Sequence, residues 1–320
     1  MGKPVSKELP ETCNFVAIKE LGMEDIVKIS TIAQYNTMRG VTTKHPLITV
    51  IDLSKAQPMP AKTFNYGLYA VGLKETDYGQ LRYGKRDYDY QEGSLIFIAP
   101  GQVIGVQPGV EVFATKGWAL LFHPDLIKGT PLGKRIQDYS FFSYDVNEAL
   151  HLSDKEKSIV IDCFSKIEYE LDQNIDKHTK GLIASNIELL LNYCVRFYDR
   201  QFITRNIANK GILERFEYLL KNYFLSDKPQ NEGLPSVAYC AEVLHLSPNY
   251  FGDLVKKETG ISALEYIQSK VIDVAKERLF DRNKSASEIA YELGFKYPQH
   301  FTRLFKQKAG VTPNDYRTKN

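Results

Sequence analysis

Four side chains near the C-terminus could contact the bases and phosphates of a nucleic acid. They are Gln299, His300, Arg303 and Lys306, and they fall within one turn-rich stretch of basic and apolar residues. An arginine can donate two hydrogen bonds to O6 and N7 of guanine, and a glutamine can pair in a similar way with adenine. A lysine is suited to a phosphate oxygen. This combination of residue types is typical of a helix that enters the major groove of DNA.

Two short helices joined by a tight turn are predicted to position these side chains. Apolar residues recur at helical spacing around Ile289–Leu293, and a Gly294-Phe295 turn follows them. Pro298 then begins a second helix, because proline is favoured in the first turn of a helix. A helix, a glycine-containing turn and a second helix with basic and amide side chains form the pattern of a helix-turn-helix unit.

Positive charge is concentrated in the same part of the chain. The whole chain has a net charge of +2, whereas the residues from Gly294 onward contain six basic residues against Asp315 alone, a net charge of +5. The rest of the chain therefore sums to −3. A basic surface on a nearly neutral chain is the footprint expected of a phosphate-contact surface. A solvated helical face would give the same pattern and stays open as an alternative.

The helix-turn-helix pattern occurs twice within residues 235–320. Pro248–Lys256 aligns with Pro298–Lys306 at an offset of 50 residues, with proline, phenylalanine, leucine and lysine at matching positions. Upstream of the turn the offset is 49, so the second turn is predicted to be one residue longer. Between the copies, Ser262–Phe280 has the periodicity of one continuous helix. Such a helix would fix the spacing of the two units, so that both second helices could enter successive major grooves.

The duplicated segment closely resembles the AraC/XylS family of transcription regulators. The stretch SEIAYELGFKYPQHFTRLFKQKAGVTPNDYR (Ser287–Arg317) carries the resemblance most specifically, and Ser236–Ile267 carries it more weakly. The resemblance implies a sequence-specific regulator that binds a double-stranded DNA operator. It implies RNA polymerase as a further partner if the protein is an activator. No enzyme activity, cofactor or metal is expected.

The resemblance also implies which residues lie against DNA. In the second unit these are Pro298, Gln299, His300, Arg303 and Lys306. In the first unit they are Ser247, Asn249, Tyr250, Asp253 and Lys256. Asp253 departs from the commoner pattern, since family members often have a basic residue there. An acidic side chain near phosphates is unfavourable unless it accepts from cytosine N4 or pairs with a nearby lysine, so direct base contact by the first unit stays open.

Residues 1–152 have the pattern of a small all-β domain. From Leu47 onward, short β-prone runs alternate with glycine- and proline-containing turns, which is typical of a small barrel or a double-sheet roll. The order of parts is similar to that of family members with an N-terminal cupin-like effector and dimerisation domain. The expected fold class is multi-domain α+β: a cupin-like β-barrel, a helical dimerisation segment and an all-α double helix-turn-helix domain.

A small-molecule effector could bind among the aromatic residues of this barrel. The candidate ligand-binding residues are Tyr66, Tyr69, Arg82, Tyr83 and Trp118. Ligand sites are mostly apolar and aromatic with a few polar anchors, although the same residues could simply fill the core. A cupin-type enzyme is the less favoured alternative, because no histidine lies between Leu47 and Phe122 to hold a metal. A constitutive DNA-binding regulator, with an N-terminal domain that only dimerises, is the other alternative.

Residues 153–225 are predicted to form three amphipathic helices, the first beginning with a Ser153–Glu156 capping box. The Leu189–Leu191 run broadens the apolar face of the second helix. A homodimer through this face is favoured, although an intramolecular core would explain the same run. The polar segment Ser226–Leu234 contains proline and glycine and is predicted to be the linker to the DNA-binding domain at 235–320.

Composition favours a cytoplasmic protein with no membrane partner. The four cysteines are scattered without a CxxC pair, which argues against a zinc site and a disulfide framework. No apolar run approaches the roughly 20 residues needed to span a membrane. The N-terminus lacks the apolar segment of a secretory signal.

Overall fold

The structure is a computed structural model that describes residues 26–59, 62–75, 82–83, 86–87, 93–104, 116–144, 148–204 and 206–319. The chain divides into two compact units, Met1–Asp199 and Arg200–Asn320. The first unit contains β-sheets and helices, and the second is helical. The predicted combination of an N-terminal β-sheet region with a helical C-terminal part is confirmed. None of the helices in the described ranges is both long and apolar enough to cross a bilayer.

Ten short strands and five helices make up the described part of the first unit. In chain order they are β1 (Ile26–Ile29), α1 (Ile32–Met38), β2 (Ile48–Asp52), β3 (Thr63–Tyr66), β4 (Tyr69–Lys74), β5 (Arg82–Tyr83), β6 (Arg86–Asp87), β7 (Ser94–Ile98), β8 (Val103–Ile104), β9 (Gly117–Phe122), α2 (Pro124–Ile127), α3 (Pro131–Arg135), β10 (Leu150–His151), α4 (Asp154–Leu171) and α5 (Thr179–Thr204). The last residues of α5 belong to the second unit.

The strands form two sheets and a two-stranded ribbon. The larger sheet has the order β10-β7-β4-β9-β2 with antiparallel neighbours, the smaller has the order β1-β3-β8, and β5 pairs with β6. Among the described residues these strands do not close into a barrel. The predicted cupin-like barrel is therefore corrected, for the described ranges, to two separate sheets that share a hydrophobic core.

The two faces of the larger sheet pack into different surroundings. On one face, Ala70, Ala119 and Leu121 join the core that includes Phe64 of the smaller sheet and Ile32 of α1. Because side chains alternate along a strand, the neighbouring positions face the other way. There Phe97 lies 4.4 Å from the Phe141 ring and 6.1 Å from the Tyr198 ring of α5.

Helices α4 and α5 follow the predicted pattern in the first unit. The predicted capping box at the start of α4 is confirmed: the Ser153 hydroxyl accepts from Glu156 N, and Glu156 accepts from Ser153 N at 2.9 Å. In α5, Leu190 and Leu191 are fully buried, whereas Leu189 is 41% exposed. The leucine run is therefore shared between the core and the surface.

The second unit has eight described helices around one core. They are α6 (Asn206–Leu225), α7 (Lys228–Glu232), α8 (Val237–Val243), α9 (Pro248–Thr259), α10 (Ala263–Arg278), α11 (Ala286–Glu292), α12 (Pro298–Ala309) and α13 (Pro313–Lys319). The predicted continuous helix between the two repeats corresponds to α10, which a Ser262–Glu265 capping box begins.

Helix α6 packs into this core, which differs from its predicted place in a separate helical middle region. Phe216, Leu220 and Phe224 of α6 lie in the same buried cluster as Phe251 and Phe301. The Phe216 and Phe251 rings meet edge-on at 4.9 Å.

Polar contacts also tie α6 to the rest of the second unit. Arg278 of α10 donates from Nη2 to Phe224 O at 2.6 Å and forms an ion pair with Glu292 of α11 at 3.4 Å. The Tyr266 hydroxyl donates to Glu217 of α6. Amphipathic spacing predicted that α6 is a helix, but it does not say which core a helix joins.

The predicted linker Ser226–Leu234 is folded onto the same unit. It contains α7, in which Pro229 is buried in the first turn, and Gly233 follows with φ of 87°. The Tyr223 hydroxyl of α6 donates to Gly233 O at 2.9 Å. Proline and glycine are common in linkers, but they also favour the start and the end of a short helix, and that is their role here.

Candidate nucleic-acid interface

The two helix-turn-helix units are built on the same backbone turn. After α8, Leu246 N donates to Ala241 O at 2.9 Å, and after α11, Phe295 N donates to Ala290 O at the same distance. The residue before each donor is left-handed, with φ of 58° at His245 and 91° at Gly294. This is the Schellman type of helix ending. Helices α8 and α11 are offset by 49 residues and α9 and α12 by 50, which confirms the predicted repeat.

The second helix of each helix-turn-helix unit, α9 in the first and α12 in the second, has proline near its start and glycine at its end. Each has proline in its first turn, and each ends at a left-handed glycine, Gly260 with φ of 76° and Gly310 with φ of 79°. Glycine adopts this conformation without the steric cost that other residues bear. Each helix is therefore held to the same length of 12 residues.

Helix α12 has one buried apolar face and one exposed polar face. Phe301 and Phe305 are fully buried and meet with ring centroids 5.7 Å apart. The predicted contact residues Gln299, His300, Arg303 and Lys306 are all exposed, and Pro298 at the helix start is half-buried. The structure thus brings these side chains to one helix, away from its core-facing phenylalanines.

The positive charges of α12 are available for a partner. Arg303, Lys306 and Lys308 are exposed and form no ion pair with any residue that the structure describes. Arg317, in contrast, donates from Nε to Leu279 O at 3.1 Å and is partly buried. The basic stretch predicted from the sequence therefore divides into exposed cations on α12 and one arginine that braces α13 against the end of α10.

Tyr297 is a further exposed residue at the start of α12, and sequence reasoning missed it. It occupies the N-cap position but its side chain makes no capping hydrogen bond. Its ring is 52% exposed and lies 5.5 Å from the His300 ring in a T-shaped contact. The sequence contained one signal for this. Serine, threonine, aspartate and asparagine usually occupy an N-cap, and a tyrosine before Pro298 leaves its side chain free of that role.

Two predicted contact residues of the first helix-turn-helix unit, Ser247 and Tyr250, are buried. The Ser247 hydroxyl caps α9 by accepting from Tyr250 N at 3.3 Å, and Ser247 is buried. Tyr250 is only 5% exposed, and its ring lies 5.3 Å from Phe202. The repeat aligns Tyr250 with His300, but burial of the tyrosine ring against Phe202 removes it from the surface. The predicted surface is corrected at both positions.

The other predicted positions of α9 are accessible to different extents. Asn249 and Lys256 are exposed, and Asp253 is half-buried. The cationic surface of α9 is therefore smaller than that of α12, and an acidic residue stands where α12 has Arg303.

The three predicted effector residues with described side chains, Tyr66, Tyr69 and Trp118, do not share one pocket. Tyr66 of β3 packs against the core between the two sheets. Tyr69 of β4 stacks on Phe122 at 5.0 Å and meets Phe142 edge-on at 5.1 Å, on the opposite face of the larger sheet. Trp118 pairs with Leu73 in the strand register and shares the face of Tyr69 by strand alternation. The side chains of Arg82 and Tyr83 lie outside the described part of the structure.

No metal-binding group is evident in the described ranges, where no three histidine, cysteine or acidic residues cluster. The described cysteines, Cys163, Cys194 and Cys240, are buried free thiols. Burial raises the pKa of all three, that of Cys240 to about 12. A thiol with a raised pKa is a poor nucleophile and a poor metal ligand at neutral pH. Cys13 lies outside the described residues.

Comparison with known proteins locates the similarity in the second unit. Residues 240–319 match the family described as "Helix-turn-helix domain". The chain is 34% identical over 108 residues to the uncharacterized HTH-type transcriptional regulator YtdP of Bacillus subtilis, covering 34% of this chain and 13% of that protein. It is 31% identical over 130 residues to the uncharacterized HTH-type transcriptional regulator YobQ of the same organism, covering 37% of this chain and 53% of that protein.

A solved structure is similar to about a third of the chain. The C-terminal domain of AraT, a response regulator from Geobacillus stearothermophilus, is 28% identical, with 34% of this chain and 85% of that chain covered and a TM-score of 0.30. The chain spans about half or less of the length of the two regulators from Bacillus subtilis. The matched region and the duplicated turn geometry together identify residues 240–319 as a helix-turn-helix domain.

Proposed function

We propose that this chain is a sequence-specific transcription regulator that binds double-stranded DNA through its second unit. The observation that carries the proposal is the exposed face of α12. Its cations form no ion pair with a described residue, while the opposite face is fixed in the core by Phe301 and Phe305. A helix fixed on one side and cationic on the other can enter a major groove without rearranging the domain.

Arg303 and Gln299 are the proposed base-reading residues of α12. Arg303 lies one helical turn after Gln299, so both side chains project from the same side of the helix. Arginine pairs bidentately with guanine and glutamine with adenine. Lys306, one turn further on, is the proposed phosphate contact. The backbone N–H groups at the helix start add a favourable site for a second phosphate.

In this proposal the first helix-turn-helix unit contacts phosphates and positions the protein on DNA, and it contributes less to reading the bases. Ser247 and Tyr250 are buried, which leaves Asn249 and Lys256 as its exposed contacts. An amide and a lysine can hold phosphates on either side of a groove. Between the units, the 16 residues of α10 set a fixed separation.

The remaining parts are proposed to control this DNA-binding unit. The double-sheet part of the first unit would be a cupin-like effector-binding domain. Apolar residues left exposed on α4 and α5, Tyr169, Leu182 and Leu189, are the proposed homodimer surface. RNA polymerase would be a partner of an activator. The second candidate is a constitutive regulator in which the N-terminal unit only dimerises. The exposed residues of α4 and α5 support both candidates equally.

Selection of duplexes from random DNA by the full-length protein tests the proposal. Enriched duplexes should share a motif, and footprinting should show protection over it at protein concentrations that leave a shuffled duplex unprotected. A Tyr169→Ser/Leu189→Ser variant should keep the motif but sediment as a smaller species than the wild type. Failure to enrich any motif would contradict sequence-specific binding.

A further inference from the structure

The N-terminal unit contains a buried guanidinium that forms no ion pair with any residue in the described ranges. Arg39 is 2% exposed, and its buried Nε atom has no hydrogen-bond partner. No described carboxylate forms an ion pair with this side chain. Burying an unpaired charge is costly, so native arginines in such places are normally paired or hydrogen-bonded. Within the described part of the chain, Arg39 is therefore a buried donor whose Nε lacks an acceptor.

The backbone holds Arg39 firmly in this place. Arg39 ends α1, and its N–H donates to Tyr35 O and Asn36 O, both at 3.1 Å. Its carbonyl accepts from Gln57 N at 2.8 Å. The next residue, Gly40, is left-handed with φ of 66°, and its Cα faces the Gln57 side chain. The guanidinium is thus presented by a fixed helix end, which is how a preorganised binding site is built.

Two phenols share the surroundings of this charge. Tyr35 and Tyr66 are raised in pKa by burial, while the Arg39 charge acts in the opposite direction on both. Tyr35 lies one helical turn before Arg39 on α1, and Tyr66 packs against the hydrophobic core that contains Tyr35. Phenol hydroxyls and a guanidinium can all donate hydrogen bonds to an anion.

A second polar atom in this region also lacks a partner. Asn36 precedes Arg39 by three residues on α1, and its Oδ1 atom is buried without a hydrogen bond. Its Nδ2 donates to Thr43 Oγ1 at 3.1 Å, which fixes the amide. Partly buried apolar residues, among them Met38, Met59 and Ile104, pack against the hydrophobic core that contains Tyr35. Few polar anchors beside apolar walls are the usual composition of a small-molecule site.

We propose that Arg39, with Tyr35 and Tyr66, binds the carboxylate of a small, mostly apolar metabolite. The guanidinium fork matches the two oxygens of a carboxylate, and such pairs are among the strongest hydrogen bonds in proteins. This site deepens the effector response within the proposed function: the anion would supply the missing counter-ion. Of the five effector residues predicted from the sequence, this site uses only Tyr66.

Thermal melting of the full-length protein tests the site. Sodium propionate, benzoate and octanoate are compared with their neutral primary amides at equal ionic strength, in the wild type, Arg39→Met, Arg39→Lys and Tyr66→Phe. Arg135→Met is the control, since Arg135 is an exposed arginine already paired with Glu188 at 3.3 Å. At least one carboxylate should raise the wild-type Tm by about 3–8 °C at saturating concentration, and its amide should not.

The variants should separate a binding role from a structural one. Arg39→Met should lose the carboxylate shift and should melt higher than the wild type without ligand, because an unpaired buried charge is replaced by an apolar side chain of similar length. Arg39→Lys and Tyr66→Phe should fold normally and show a smaller carboxylate-induced rise in Tm than the wild type. Arg135→Met should show the same rise as the wild type.

Two results would overturn the site. One is that no carboxylate shifts the wild type more than its amide does. The other is that the Arg39 variants keep the wild-type shift, which would show a general salt effect. Duplex binding without carboxylate is measured in parallel: normal DNA binding with no carboxylate shift refutes this site alone, whereas loss of DNA binding refutes the proposed function.

Discussion

Replacement of Arg303 by alanine is the most informative single change to the proposed interface. Arg303 is exposed on α12, and no ion pair joins it to a described residue. Its removal therefore costs the folded protein little, and the melting temperature should stay within about 1 °C of the wild type, as for surface substitutions in general. Any change in DNA binding can then be attributed to the contact itself.

The expected loss follows from the chemistry of the arginine–guanine pair. A bidentate contact contributes about 1–3 kcal/mol of discrimination against the wrong base. This corresponds to a rise in Kd of about 5- to 150-fold on the preferred duplex. On a duplex that already has a different base pair at the contacted position, the same substitution should have a much smaller effect, because the wild-type contact is already absent there.

Fluorescence anisotropy with a set of labelled duplexes measures this difference. The set contains the selected duplex and every single-base-pair change in it, and each is titrated with the wild type and Arg303→Ala. For the variant, the preference should flatten at one base-pair position and persist at the others. Gln299→Ala is the matched control on the same helix, and it should flatten the preference at a different position.

Uniform weakening would refute the reasoning. If Arg303→Ala raises Kd by the same factor on every duplex, Arg303 contacts phosphate and not a base. If it has no effect on any duplex, α12 does not present this face to DNA.

Three further predictions concern the same unit. Lys306→Ala should weaken binding to all duplexes alike and reduce the slope of log K against log salt by about 0.9, as titrations at several salt concentrations would show. Gly294→Ala should lower the free energy of unfolding by at least about 2 kcal/mol in urea titrations, because Gly294 has φ of 91° and an added Cβ would lie 2.7 Å from Pro229 O. Gly211→Ala, in open space within α6, should instead stabilise by about 0.5–1 kcal/mol. The fragment 200–320 should melt cooperatively by circular dichroism, whereas 235–320 should not, because it lacks the α6 side chains of the shared core.

The helix-turn-helix units could be predicted from the sequence because their signals are local. Proline at the start of α9 and α12, glycine at their ends and a repeat of nearly constant offset determine these helices residue by residue. The exposed face of α12 followed from the same periodicity. Local propensity and the final structure agree here, so the prediction needed no knowledge of distant contacts.

The errors arose where a distant contact decides the outcome. Tyr250 has the sequence position of a contact residue, but the Phe202 ring, far away in the sequence, covers it. The amphipathic pattern of α6 is the same whether it packs in a middle region or against Phe251. Likewise, Tyr66 and Tyr69 are close in sequence but lie on different strands and opposite sides of the larger sheet. Spacing along the chain cannot encode these relations.

The salt dependence of binding to the selected duplex tests the central claim most directly. Four exposed lysines, Lys256, Lys296, Lys306 and Lys308, are candidates for phosphate contacts. One contact each predicts a slope of log K against log salt of about −3.6, so the affinity should fall about 150-fold between 50 and 200 mM salt. The selected duplex should also bind more tightly than a shuffled one throughout. A slope near zero, or equal affinity for the two duplexes, would contradict the account.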